Sequence, residues 1–419
     1  MVFLGFMIFS LALVMVVYLL RHYVFTAIVL CFGRSSDNVL EGDSKPVVSV
    51  VIPARNEERV VGRLLRRITE FTYPKEKLRV VVVEDGSTDG TGKIIDEFAR
   101  QYSFIKVLHR KRSEAAGKPA ALNAALKHVI GDFVYFFDAD YVPERNILEK
   151  LNSPFSDPKV GAVQGRIKVL NERKLVSRVA SLERVGSYRV DQLARDILGL
   201  IPQFGGTVGG VRCSLLRSLG GFDVNVLAED TDLTFRVYLA GFKIRYVLNA
   251  ESYEEAVVGW RDYWRQRYRW SRGHMQCAFK HLWPLLKSKN LTLREKLDGF
   301  LLLNVYFVPV LVGFGWLLGG LCFLLGYGLW AGRTALLVTL IYFASGNIAP
   351  LSEVIVGAIL DKRGRLCRYL PFMLFAFFLN VLICTKAFID LLISKICGKP
   401  SVKWDKTVHK GWSQTGNNY

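Results

Sequence analysis

The sequence is short of acid and has no paired cysteines. Asp and Glu number 37 against 56 Lys and Arg, a formal net charge of +19. The seven cysteines include no CxxC and no Cys/His ligand spacing, which excludes a zinc site and a disulfide framework. Cys31, Cys322, Cys384 and Cys397 sit in or beside apolar runs, and Cys213, Cys277 and Cys367 stand alone. There is no internal repeat and no low-complexity segment. No nucleic-acid module accompanies the positive charge, so nucleic acid is not expected as a partner. The first residues, Met1-Val2-Phe3-Leu4, carry no basic group, so the opening run reads as an uncleaved anchor rather than a signal peptide.

What is present is apolar sequence at both ends, within a chain that is 51% hydrophobic. Residues 1–33 form one block, interrupted only by Arg21 and His22. A bilayer core takes about 20 apolar residues in a helix, and Met1–Leu20 reaches that length. Residues 297–397 hold three more candidates, at about 297–328, 334–360 and 368–397. Asn347, Pro350 and Glu353 break the middle one, and polar groups inside a span face protein or water. It therefore reads as re-entrant or interfacial. Basic residues crowd beside these runs, at Arg261–Arg272, Lys362–Arg368 and Lys399–Lys410, as the positive-inside rule expects of a cytosolic membrane face.

Between the apolar ends, strands and helices alternate. Pro46–Pro53, Leu78–Val83, Ile105–Leu108 and Phe133–Phe137 read as strands, separated by helices near 58–71, 91–101 and 118–130. Unbroken apolar strands in such an alternation predict a mostly parallel α/β sheet covered on both faces. Ligands of such sheets bind outside the carboxyl ends of the strands. Acidic turns lie there: Glu84-Asp85 after four valines, and Asp138-Ala139-Asp140 after Phe136-Phe137. Alternation points Asp138 and Asp140 the same way. Two convergent carboxylates suit Mg²⁺ or Mn²⁺, which also takes substrate phosphates as ligands. Gln203–Gly210 reads as a backbone-exposing loop, and residues 256–296 as amphipathic helices at a membrane interface.

Two further groups carry chemistry. Glu229-Asp230 opens a helix. It is a helix cap on the simplest account, and a general base for an attacking hydroxyl on the other. Helical spacing places Gln266, Arg269 and Trp270 on one face. An arginine there can hold a pyrophosphate in paired hydrogen bonds, and an indole can stack on a sugar.

Six motifs occur in order: PARNEE at 53–58, EDGSTDGT at 84–91, GKPAALNAA at 117–125, DAD at 138–140, AED at 228–230 and QRYRW at 266–270. Over about 46–285 the chain resembles membrane-bound family 2 glycosyltransferases of the cellulose, chitin and hyaluronan synthase type. The resemblance implies a GT-A domain at 46–255. Pro53, Ala54, Glu57 and Asp85 would surround the nucleoside, with Glu84 a second candidate, and Lys118 would lie by the nucleotide. Asp138 and Asp140 would hold metal and diphosphate, and Gln266 and Arg269 would steady the diphosphate. Asp230 would be the base, Glu229 beside it, and Trp270 part of the acceptor site. The family's usual threonine before Glu-Asp is Ala228 here. The tail at 398–419 contains Trp404-x-Lys406-Thr407-x-His409-Lys410, similar to a family segment that ends in arginine, so His409 or Lys410 would have to serve.

The function expected is that of a multi-pass membrane hexosyltransferase with a cytoplasmic catalytic domain, using a UDP- or GDP-sugar and inverting the anomeric centre. One span before the domain and two or three after it are few for a polymer channel, so a lipid-linked or glycolipid acceptor receiving one or a few sugars is preferred to processive polysaccharide secretion. A non-catalytic scaffold would have lost key carboxylates. A metal-dependent phosphohydrolase would not need Gln266, Arg269 and Trp270.

Overall fold

The computed structural model describes residues 2–33, 45–111, 117–324, 348–398 and 409–411. Its centre is one eight-stranded sheet in the order β3-β2-β1-β4-β7-β6-β8-β5. The strands are β1 Val48–Ala54, β2 Leu78–Asp85, β3 Ile105–Arg110, β4 Phe133–Phe136, β5 Val142–Pro143, β6 Val160–Val169, β7 Gly209–Arg212 and β8 Lys243–Glu254. The first four are joined in parallel. Beyond β4 the sheet is mixed: β7 runs antiparallel to β4 and to β6, β6 and β8 are parallel, and β5 caps β8 antiparallel. The expected parallel sheet thus covers the first half, and the second half departs from it.

The apolar strands are unbroken because both faces are buried. Val48, Val50 and Ile52 of β1, with Val80 and Val82 of β2, face one core. Val51, Val81 and Val83 face the other. Period-two alternation turns neighbours in sequence to opposite cores, so no position can be polar without a partner. Ser49 is the exception that has one, bonding Ile130 through its hydroxyl and accepting from the Ile130 N–H.

The Gly-rich stretch at 203–210 is only in part a loop. Gly209 and Gly210 belong to β7, where a Cβ on Gly210 would sit 2.4 Å from the Tyr135 ring. The glycines there permit strand packing rather than mobility.

Among the described residues, Leu13–Phe32 and Gly364–Ile396 are helices long and apolar enough to cross a membrane. A third possibility is the pair Leu293–Asn304 and Phe307–Leu318, bent by 59°. The bend falls where Pro309 has no N–H to give and its ring would clash with the carbonyl four residues back. Of the expected segment 334–360, residues 334–347 lie outside the described residues, and Ile348–Leu360 is a shorter apolar helix. Phe25 and Val29, on the second half of the N-terminal helix, are buried in the same core as β1. One face of that helix is therefore docked on the sheet domain.

Candidate active site

The site is built at the carboxyl ends of β1, β2 and β4. Ala139 turns into the core, 3% exposed, and its two neighbours turn to a cavity of about 710 Å³. Asp138 Oδ1 lies 2.7 Å from the Lys118 ammonium, which is 3.7 Å from Glu229 Oε1 and donates to the Gly206 carbonyl. Burial lowers the lysine's proton affinity, but the Asp138 and Glu229 carboxylates outweigh it and hold Lys118 charged. Asp140 is buried and faces other partners. Its Oδ2 accepts the Glu255 N–H at 3.2 Å and stands 3.6 Å from His409 Nε2. Burial pushes Asp140 up to about 6, with His409 pulling against it.

Asp230 stands in the first turn of helix Glu229–Leu239. It does not cap that helix from the N-cap position, which Ala228 occupies without a side-chain bond. Its Oδ1 accepts the Thr231 N–H at 2.7 Å. A Cβ on Gly206, which has φ +71°, would lie 3.0 Å from Asp230 Cβ, so only glycine lets the loop run this close. Glu229 is raised by burial and by Asp230, against the pull of Lys118.

Helix Trp260–Lys287 presents Gln266, Arg269 and Trp270 to the same cavity. The Trp270 ring is flanked by two guanidinium carbons, Arg184 at 5.1 Å and Arg267 at 4.2 Å. Cation–π contacts of this kind fix an indole plane. Arg184 is itself held by Glu254 in a two-point bond at 2.6 and 2.9 Å, and Arg267 is paired with Glu183.

Pro53, Ala54, Glu57 and Asp85 line the far end of the cavity. Glu84 does not. It accepts the Ser87 N–H and faces His109 at 3.3 Å, so it shapes the turn after β2. The returning tail completes this end. His409 Nδ1 lies 2.9 Å from Glu57 Oε2, and the Lys410 and Gly411 N–H groups donate to the two oxygens of Glu255 at 2.6 and 3.1 Å. Burial alone would discharge His409, but Asp140, Glu57 and Glu255 together raise it to about 9. These carboxylates keep it charged at neutral pH. Lys410 contributes its backbone.

The match to a family model covers residues 46–273, under the description glycosyltransferase like family 2. The chain belongs to this family. A probable glycosyltransferase of Bacillus subtilis, YdaM, is 32% identical over 88% of this chain and 89% of its own length. A beta-monoglucosyldiacylglycerol synthase of Synechocystis is 30% identical over 74% of this chain and 63% of its own length. Among solved structures, the mannosyltransferase PcManGT of Pyrobaculum calidifontis, in complex with GDP-mannose and Mn²⁺, superposes with a TM-score of 0.58 at 22% identity, over 84% of this chain and 98% of that one. The fold is GT-A, and the chain is a family 2 hexosyltransferase.

Several contributors escaped the sequence reading. Glu254 ends β8 and Glu255 follows it; they hold Arg184 and the tail, and a carboxylate pair at a strand end was the available signal. Arg184 leads into a π-helical segment, Val185–Asp191, which brings Tyr188 and Asp191 to the cavity. His274, one turn after Trp270, lines the cavity beside Asp230. Burial lowers it to about 4, so it is neutral at physiological pH, and its Nε2 meets Thr231 Oγ1 at 3.2 Å.

Proposed function

We propose that this family 2 enzyme moves a hexose from a UDP- or GDP-sugar to a hydroxyl of a lipid-linked or glycolipid acceptor, inverting the anomeric carbon and adding one or a few sugars per acceptor. The observation that carries the reading is the single cavity. It joins Asp138 and Asp140 to Asp230 and Trp270, and helices at the apolar ends of the chain form part of its wall.

Asp230 accepts the acceptor proton as the oxygen attacks the anomeric carbon. Its Oδ1 is held by the Thr231 N–H, which leaves Oδ2 for the proton. Trp270 offers a fixed ring face for the acceptor sugar or headgroup. Gln266, Arg269 and Lys118 hold the diphosphate as charge builds on it, and such preorganised donors lower the barrier without rearranging. Pro53, Ala54, Glu57 and Asp85 enclose the nucleoside, with His409 closing over it.

Among the described residues no group of three or more acidic, histidine or cysteine side chains could hold a metal. Asp138 and Asp140 therefore fit Mg²⁺ or Mn²⁺ only as a site completed by the donor's phosphates, the manner usual for Mg²⁺. The ion would neutralise the leaving diphosphate. The Mn²⁺ in PcManGT and the product named for the Synechocystis synthase support a metal-assisted transfer to a lipid.

The catalytic domain and the tail would share the cytoplasmic face. Asp361 and Arg363, directly after Ile348–Leu360, pair with Arg166, Arg189 and Glu172 of the catalytic domain, so residues 361–363 would lie on that face as well.

The test is a screen of UDP- and GDP-sugars on the detergent-solubilised protein, for thermal stabilisation and hydrolysis, with Mn²⁺ and with chelator. One donor class should stabilise the protein only with metal. Equal binding of the free nucleotide diphosphate in both would remove the metal role, and no binding of any donor would overturn the reading.

A further inference from the structure

The cavity does not end at Trp270. It continues between Val305, Tyr306 and Pro309 at the bend and Met373 and Phe377 on helix Leu370–Ile396, with Leu351 beside them. The two helices that meet here pack on each other through Trp316 on Phe378 and Phe307 on Phe388. Their outer faces expose Leu317, Phe372, Phe375 and Leu382. The passage therefore leads from the proposed base to surface that only hydrocarbon would cover.

This half of the cavity also holds basic side chains, and each of those named next already has a carboxylate. Arg21 pairs with Asp191, Arg195 with Asp191 and Asp298, and His22 with Glu353. Arg184 pairs with Glu254, and Arg267 with Glu183. Among the described residues in this half, a phosphate placed there would find no unpaired cation and would stand beside Asp191, Glu183, Glu353 and Asp230. Buried charge without its own partner is strongly disfavoured.

We propose that the acceptor is a membrane lipid with an uncharged, hydroxyl-bearing headgroup, and not a lipid phosphate. Its chains leave the cavity between the bend at 305–309 and helix Leu370–Ile396. This rests on the transferase reading above. The lipid oxygen forms its bond to the anomeric carbon as the bond from that carbon to the diphosphate oxygen breaks. The hydroxyl proton goes to Asp230, and the electron pair leaves with the nucleoside diphosphate.

The full chain is reconstituted in phosphatidylcholine liposomes with Mn²⁺ and labelled UDP-glucose, UDP-N-acetylglucosamine or GDP-mannose. The acceptors are dioleoylglycerol, dioctanoylglycerol and undecaprenyl phosphate. Transfer to dioleoylglycerol should exceed transfer to undecaprenyl phosphate at least tenfold. Preference for the phosphate overturns the proposal. Donor hydrolysis with transfer to none of the three overturns it while leaving donor use intact, and no donor turnover at all sinks the transferase reading itself. Met373→Trp, which narrows the passage, should lower the ratio of dioleoylglycerol to dioctanoylglycerol transfer at least tenfold, and so should Val305→Trp on the opposite wall. An unchanged ratio in both contradicts the route. The wild-type preference tests the headgroup even where a variant fails to fold.

Discussion

Asp230 and Asp232 lie two residues apart on one helix, and the structure gives them different work. Asp232 is fully buried. Its Oδ1 accepts from His281 Nε2 at 2.7 Å and from the Lys280 ammonium at 2.6 Å, and its Oδ2 from Arg236 Nε at 2.7 Å. It ties the helix that carries the proposed base to the helix that carries Trp270. Asp232→Asn keeps the shape and removes the charge, turning an N–H₂ toward a donor. Breaking a buried pair costs about 3–5 kcal/mol. One neutral acceptor survives, so about 3 kcal/mol is expected. For a domain near 200 residues that is a fall of about 6–12 °C in Tm. Burial would raise the Asp232 carboxyl, but His281, Lys280 and Arg236 hold it well below its usual range. Its stabilisation is therefore present above the unfolded value and is lost as pH falls through the folded one. The gap between wild type and variant should be full at pH 6–8 and begin to close below about pH 5. Tryptophan-fluorescence melting in detergent measures it, with Asp230→Asn, whose amide oxygen still accepts the Thr231 N–H, as the control that should lose less than Asp232→Asn. A wild-type Tm for Asp232→Asn would refute the reasoning.

Asp230→Asn should lower turnover by at least roughly 10²-fold, the usual size of a general-base effect, with donor affinity unchanged by calorimetry. Glu84→Gln should leave nucleotide affinity within about twofold, as expected of a carboxylate outside the cavity whose partners are its own turn and His109. A cysteine at Ser413 and one at Lys93, each in a background without native cysteines, should react with an impermeant thiol reagent from the same side of sealed vesicles. Labelling from opposite sides would take the tail away from Glu57 and Glu255.

What the sequence revealed follows the range of the forces involved. The strands of the first half were legible because burial on both faces demands runs such as Leu78–Val83. The acidic turns were legible because they end those runs. The face joining Gln266, Arg269 and Trp270 follows from helical spacing alone. β7 was not legible: Gly209 and Gly210 look like a loop until Tyr135, 75 positions earlier than Gly210 in the chain, is seen to fill the space a side chain would take. Glu84 and Asp85 cannot be told apart by spacing; the partners His109 and Arg110 on β3 separate them. The docking of His409 on Glu57 spans most of the chain; in the sequence only the likeness of Trp404–Lys410 to a family segment pointed to a role for it. Arg21 and His22 looked like blemishes in an anchor. Asp191 shows where the N-terminal helix meets the catalytic domain, and Glu353 where it meets helix Ile348–Leu360.

The central claim is direct displacement at the anomeric carbon by a lipid hydroxyl, with Asp230 as the base. The measurement that reaches it is the anomeric proton coupling, by NMR, of the glycolipid formed from an α-linked nucleotide-glucose and dioleoylglycerol. The account predicts a β-glycoside with a large diaxial coupling. An α-glycoside would require two displacements or a different mechanism, and would contradict it.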